Sequence, residues 1–263
     1  MISWAKDNSF SVIDLGSDAD TAAPALVAAG LSVGSADLKS WSAVISHDHA
    51  KRADAVAENE AYFAECAKYG VRNYFTVLLP EDPSKPRSEN FAAALLGLNE
   101  LAVALQKHQG RLVIEGWPGP GALACTPEGY RGVIAETPEE IGINFDPSHL
   151  VRMGIDPIRF VAEFANRVYH VHGKDTEIIG EALYEYGNEQ PPTFGQGHGF
   201  GAMHWRYTIP GHGEVRFKSA FDILVANNYA GAVSIELEDE NFNGTEAGEK
   251  AGLIAGGAFL ASV

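Results

Sequence analysis

Three observations predict a (β/α)8 TIM barrel. The chain has 263 residues, close to the roughly 250 that one such barrel needs. Short β-branched runs alternate with longer amphipathic ones, the pattern of a parallel sheet with crossover helices. Acidic and imidazole side chains recur where the β runs stop, the rim on which barrel enzymes carry their chemistry. A single domain spanning residues 1–263, with one large core, is the expectation.

Strands are predicted at 11–16 (SVIDLG), 32–38 (SVGSADL), 71–79 (VRNYFTVLL), 111–117 (RLVIEGW), 141–146 (IGINFD), 167–172 (RVYHVH) and 231–237 (GAVSIEL). That is seven strands where a full barrel has eight. The opening MISWAKDNSF reads as the last turns of a helix entering SVIDLG, so either the first strand is truncated or residues 1–4 stand in for it. The barrel is then open on one side or completed by a partner subunit. Between strands, HAKRADAVAENEAYFAECAKYG and NFAAALLGLNELAVALQKHQG carry apolar residues at helical spacing and end at Gly70 and Gly110, residues suited to a left-handed C-cap.

One connection, about 176–215, is far longer than a βα loop and has no predicted regular structure; such loops are functional or disordered. Its aromatics Tyr184, Tyr186, Phe194, Phe200, Trp205 and Tyr207 predict burial, hence an ordered lid with glycine hinges, serving as a cover or as an oligomer contact arm.

Side chains on a strand alternate between faces. By that parity Glu115, Asp146, His172 and Glu236 are each the last inward residue before turn-like sequence, sharing a face with Val113, Asn144, His170 and Ser234 respectively. For any one of them an ion pair or a capping contact explains the residue equally well. Four together, with Glu115, Asp146 and His172 about one βα repeat apart, point to a divalent cation that satisfies several buried carboxylates at once. His170 is expected one layer deeper, as a hydrogen-bonded interior residue. Asp14 is a weaker candidate for the mouth. His47 and His49 form an HxH pair but fall at a helix N-terminus, where capping is the better explanation. His198, His204 and His212 lie in the long connection and carry no firm assignment.

The chain has 35 acidic and 19 basic residues, net charge −16, which disfavours nucleic acid and anionic lipid as partners. No apolar stretch is long enough to span a bilayer and no leader pattern opens the sequence, so a soluble, cytoplasmic protein is expected. Two cysteines, Cys66 and Cys125, make neither a disulfide framework nor a zinc motif. WPGPG and GQGHGFG lack phosphate-loop and dinucleotide spacing, and no GxSxG or paired cysteine nucleophile occurs.

From residue 111 to residue 239 the motifs IEGWP, NFDPSHL, VYHVHGKD, RYTIPGHGEV and SIELED resemble the xylose-isomerase-like sugar isomerases and epimerases, which include tagatose and psicose 3-epimerases and proteins of inositol catabolism. The resemblance implies one divalent metal ion, manganese first and magnesium, cobalt or zinc as substitutes, held by Glu115, Asp146, His172 and Glu236. It implies that Glu115 and Glu236 also move protons, that His149 of the DxxH motif contacts substrate, and that the assembly is a dimer or tetramer. The arginine that holds sugar in the epimerases has no counterpart at its usual spacing, because GKDTE follows His172; Lys174 and Arg206 are the cationic candidates. The activity so implied is proton transfer through an enediolate on a small sugar or keto-sugar, unphosphorylated because few cationic residues flank the motifs. The alternative is a lyase or deglycosidase acting on 3-keto-glycosides by β-elimination. The apurinic endonuclease branch of the fold needs more histidines and a basic face, and a non-catalytic binding module would not need the four-ligand set.

Overall fold

The β-branched runs form strands where the sequence places them, each shorter except the sixth, which keeps its length and shifts by one residue. In the computed structural model, which describes Met1–Val263, the strands are β1 (Val12–Leu15), β2 (Ser32–Asp37), β3 (Asn73–Val77), β4 (Arg111–Glu115), β5 (Ile141–Phe145), β6 (Val168–Gly173), β7 (Asp175–Ile178), β8 (Trp205–Thr208) and β9 (Val233–Ile235). The helices are α1 (Ile2–Asp7), α2 (Ala19–Ala28), α3 (Trp41–Val44), α4 (His49–Ala67), α5 (Arg87–Lys107), α6 (Pro127–Glu136), α7 (Pro147–Arg152), α8 (Pro157–Phe164), α9 (Gly180–Tyr186), α10 (Phe217–Ala226) and α11 (Glu246–Leu260). One sheet has the order β1-β2-β3-β4-β5-β6-β9, and β7 pairs with β8 in a second. Neighbours from β1 to β6 run parallel, with helices between them, as the TIM-barrel expectation requires. Every residue of β5 and all of β4 after Arg111 are buried, because a parallel sheet is covered on both faces. No helix is long and apolar enough to cross a membrane.

The chain divides into two compact units. The first comprises Met1–Phe145, Asn166–Val171 and Tyr229–Ser234. Its sheet curls: Asp14 on β1 lies 2.9 Å from His170 Nε2 on β6, although four strands stand between them in the sheet order. Asn73 Nδ2 likewise donates to Gly34 O at 3.0 Å and to Tyr169 O at 3.2 Å. A Cβ on Gly34 would collide with Asp14 Oδ1 and stand 3.0 Å from His170 Cε1, so the interior pair needs a glycine there. His170 is therefore the interior hydrogen-bonded residue expected, and Asp14 is its partner.

Residues 1–11 contribute helix rather than strand. Ala5 of α1 packs with Leu26 and Leu31, backed by Ile2, Trp4 and Phe10, and the Trp4 and Phe10 rings stack at 5.6 Å. Helix ends follow the sequence only in part. Gly70 takes φ +79°, but after α5 it is Gln109, not Gly110, that adopts the left-handed conformation, at φ +55°. Asp48 caps α4 by accepting from Ala50 N at 2.8 Å, and His47 Nε2 pairs with Asn90 at 3.0 Å. The HxH pair thus flanks a cap.

The second unit comprises Asp146–Ala165, His172–Asn228 and Ile235–Val263. The 176–215 connection, for which the sequence predicts order but no regular elements, holds α9 and most of the antiparallel β7–β8 ribbon, in which Asp175 faces Thr208 and Ile178 faces Trp205. The alternation in WRYT makes this possible, since the Trp205 and Tyr207 rings pack against each other, tilted by 58° with centroids 4.9 Å apart, and Arg152 lies 4.5 Å from the Trp205 ring. Burial of the aromatics is selective, for Tyr184 is 88% and Phe194 98% exposed.

Gly97 of α5 carries a test of this packing, because a Cβ there would run into the backbone of Val44 in α3. Alanine is the better helix former by about 1 kcal/mol, yet the overpacking penalty of about 1–3 kcal/mol should win. Gly97→Ala is expected to lower the denaturant midpoint; a raised midpoint would show that α3 yields freely.

Candidate active site

In the first unit, β4 ends at Glu115 and lies in register with Asn144 of β5. Glu115 is buried and accepts a hydrogen bond from Asn144 Nδ2 at 2.8 Å. The amide offsets part of the cost of burying a carboxylate and fixes its orientation at the strand end.

In the second unit, Asp146 directly follows β5 and caps α7. Its Oδ1 accepts from Ser148 N at 2.8 Å and from Ser148 Oγ at 2.6 Å. Its Oδ2 is buried and accepts no hydrogen bond. α7 then brings His149 round, with Nε2 at 3.4 Å from Asp146 Oδ2 and Nδ1 at 2.6 Å from the Tyr207 hydroxyl on β8. Glu236 follows β9. Asp146, His149 and Glu236 present ligand atoms that all lie within 4.8 Å of one another. His172, at the end of β6, places Nδ1 3.2 Å from Glu236 Oε2.

Lys174 is the charge centre of this group. Its side chain is 1% exposed, and Nζ lies 2.7 Å from Glu236 Oε2, 2.9 Å from Glu238 Oε2 and 3.2 Å from Asp146 Oδ2. The Tyr207 ring adds a cation–π face at 4.5 Å, and burial pushes the Tyr207 phenol pKa up. A buried ammonium is tolerated because three carboxylates surround it.

Two further carboxylates shape the surrounding chain. Asp175 accepts four backbone N–H bonds, from Thr176 and Val215 on Oδ1 (2.8 and 2.9 Å) and from Gly211 and Gly213 on Oδ2 (3.0 and 3.1 Å). Burial pushes its pKa above the ordinary carboxylate range, against the pull of those donors. Asp239 accepts from Ile209 N at 3.1 Å and from Asn241 N at 2.9 Å, holding the ELED turn that carries Glu236 and Glu238. Arg206 is bound by Glu177 at 2.7 Å, with Asp239 and Glu240 each at 3.6 Å. Glu240 also takes the Gly199 N–H at 3.0 Å and His198 Nδ1 at 2.8 Å, and these hold its pKa low.

Of the residues read from sequence, the second unit brings together Asp146, His149, His172, Lys174 and Glu236, and sets Arg206 in a separate ion-pair group. Glu238 and Asp175 carry no assignment from sequence, and Tyr207 is read there only as a buried aromatic of the long connection. Parity could have found Glu238, two residues beyond Glu236; Tyr207 and Asp175 depend on the pairing of β7 with β8, which has no short-range signal. The donor set suits a divalent cation: carboxylate oxygens with imidazole nitrogen match manganese, magnesium or zinc, and Asp146 Oδ2, which accepts no hydrogen bond, already faces the Lys174 ammonium at 3.2 Å.

Comparison with known proteins agrees with the fold. The family model described as "Xylose isomerase-like TIM barrel" matches residues 4–261. An inosose dehydratase of Clostridium tetani is 32% identical over 144 residues, 55% of this chain and 46% of its own length; the chain thus spans about half the length of such curated relatives. Among solved structures, the apo form of the 3-keto-D-glucoside 4-epimerase YcjR of E. coli superposes at TM-score 0.72 with 14% identity, covering 100% of this chain and 93% of its own. The IOLI protein with a bound zinc atom gives TM-score 0.71 and 16% identity, covering 99% and 91%. At these identities the structures speak for the fold alone.

Asp175→Asn should expose how far the four-donor carboxylate holds the 209–215 turn, since an amide presents only one acceptor to two pairs of N–H groups. A loss of about 2 kcal/mol is expected, read as a lower thermal midpoint with faster amide exchange at Gly211 and Gly213. Wild-type exchange there would refute that role.

Proposed function

Because the chain belongs to the xylose isomerase-like TIM-barrel family, we propose that it is a divalent-metal-dependent sugar isomerase or epimerase, moving a proton on the carbon next to the carbonyl of a small ketose or keto-sugar. The observation that carries this reading is the approach of the Asp146 and Glu236 carboxylates to within 4.8 Å of each other and of His149, with His172 Nδ1 3.2 Å from Glu236 Oε2; Glu236 is the part-exposed member of this group. Glu115, Asp146, His172 and Glu236 would hold the ion. When bound, it would act as a Lewis acid that acidifies the carbon beside the carbonyl.

Glu115 and Glu236 are the proposed acid/base pair, each a carboxylate at the end of its own strand. Return of the proton to the opposite face of the same carbon gives an epimer; return to the adjacent carbon gives the aldose or ketose isomer. His149, fixed between Asp146 and the Tyr207 hydroxyl, would contact the substrate's oxygens and exchange protons with them. We also propose a homo-oligomer, which would close the site from outside the chain.

A second reading, β-elimination from a keto-sugar, is favoured by the similarity to the inosose dehydratase of C. tetani. It begins with the same proton abstraction, after which His149 protonates the departing oxygen. Both readings make the acidified carbon exchange with solvent.

Incubation with manganese and a panel of ketoses and 3-keto-sugars in deuterated water should place deuterium on one carbon. Retained sugar mass apart from deuterium identifies isomerisation or epimerisation, and loss of water or aglycone identifies elimination. No exchange with any of them refutes proton transfer. Glu115→Gln and Glu236→Gln should each cut turnover by at least about 100-fold without unfolding the protein; wild-type turnover in either removes that residue from the pair. His172→Asn should lose bound metal while His170→Asn retains it, as measured by elemental analysis; the reverse would exchange their roles.

A further inference from the structure

We propose that Lys174 is a built-in counter-cation with which the divalent ion competes for Glu236 and Asp146. The inference rests on the metal-dependent reading above. Lys174 Nζ touches both Glu236 Oε2 (2.7 Å) and Asp146 Oδ2 (3.2 Å), two of the atoms that would ligate the ion, and its own side chain is 1% exposed. Its third carboxylate, Glu238 at 2.9 Å, lies outside the ligand set.

That geometry gives the ammonium two stations. Without metal it sits among Asp146, Glu236 and Glu238 and neutralises carboxylates that would otherwise repel one another at close range. When an ion takes Glu236 and Asp146, Lys174 retains Glu238 and the face of the Tyr207 ring. The ion must displace a charge from its ligands, so Lys174 lowers metal affinity while it stabilises the metal-free fold. A purely structural lysine would do only the latter.

Lys174→Met keeps most of the side-chain volume and removes the charge. In the metal-free protein the thermal midpoint should fall by about 5 °C. In a chelator competition at fixed pH, the Mn2+ dissociation constant should tighten by at least about tenfold relative to wild type, the loss of one positive charge a few ångströms from a dication. Lys174→Arg, which keeps the charge, should stay within about threefold of wild type on the same electrostatic grounds.

Equal or weaker Mn2+ binding by Lys174→Met overturns the competition while leaving the metal reading intact, and tight binding by Lys174→Arg shows that charge is not the cause. Binding by Lys174→Met but not by wild type upholds the competition and counts against a metal-dependent activity of the natural chain. Absence of binding by both proteins overturns the two together. Should Lys174→Met fail to fold, 15N-lysine spectra of the wild type decide the matter: titration with diamagnetic Zn2+ should shift the Lys174 Nζ resonance, and an unmoved resonance overturns the proposal.

Discussion

Negative charge gathered at strand ends around one buried ammonium is the constraint that organises this molecule. Asp146, Glu236 and Glu238 stand around one ammonium, and such a group is stable only when each member has a compensating partner. Much of the surrounding architecture supplies those partners. Ser148 takes one oxygen of Asp146, Tyr207 orients His149, and Asp239 fixes the turn on which Glu236 and Glu238 ride. In the first unit Asn144 serves Glu115 in the same way.

The fold was readable because parallel strands buried on both faces leave a strong sequence trace. The seven β-branched runs became the seven strands of the main sheet, and Gly70 ended its helix as its type suggests. Gly110 misled because a neighbouring Gln109 accepted the positive φ itself; local identity ranks the candidates for a left-handed cap without excluding the next residue. The 176–215 segment misled for a different reason. β7 and β8 are separated by a helix and a long loop, so their pairing is set by distant contacts, and four-residue strands offer too little alternation to announce themselves.

Candidate site residues followed a similar division. Parity along β4, β6 and β9 was enough to choose Glu115, His172 and Glu236 for attention, and the DxxH spacing was enough for Asp146 and His149, which share one turn of α7. What sequence could not supply was the company each keeps. Lys174 was noticed as a cation suited to sugar, whereas its buried neighbours are three carboxylates and an aromatic ring. Arg206, weighed for the same task, lies among Glu177, Asp239 and Glu240. Spacing identifies which side chains reach a rim, while charge balance among them emerges only in three dimensions.

The β7–β8 ribbon begins one residue after Lys174, and Asp175, its first member, is bound to backbone at both ends of the 176–215 segment. The segment therefore has no slack at its root. Moving the segment at that point would mean breaking backbone bonds to the residue that directly follows Lys174, so the anchoring of the ribbon and the placement of the buried ammonium are set by adjacent residues of one strand end.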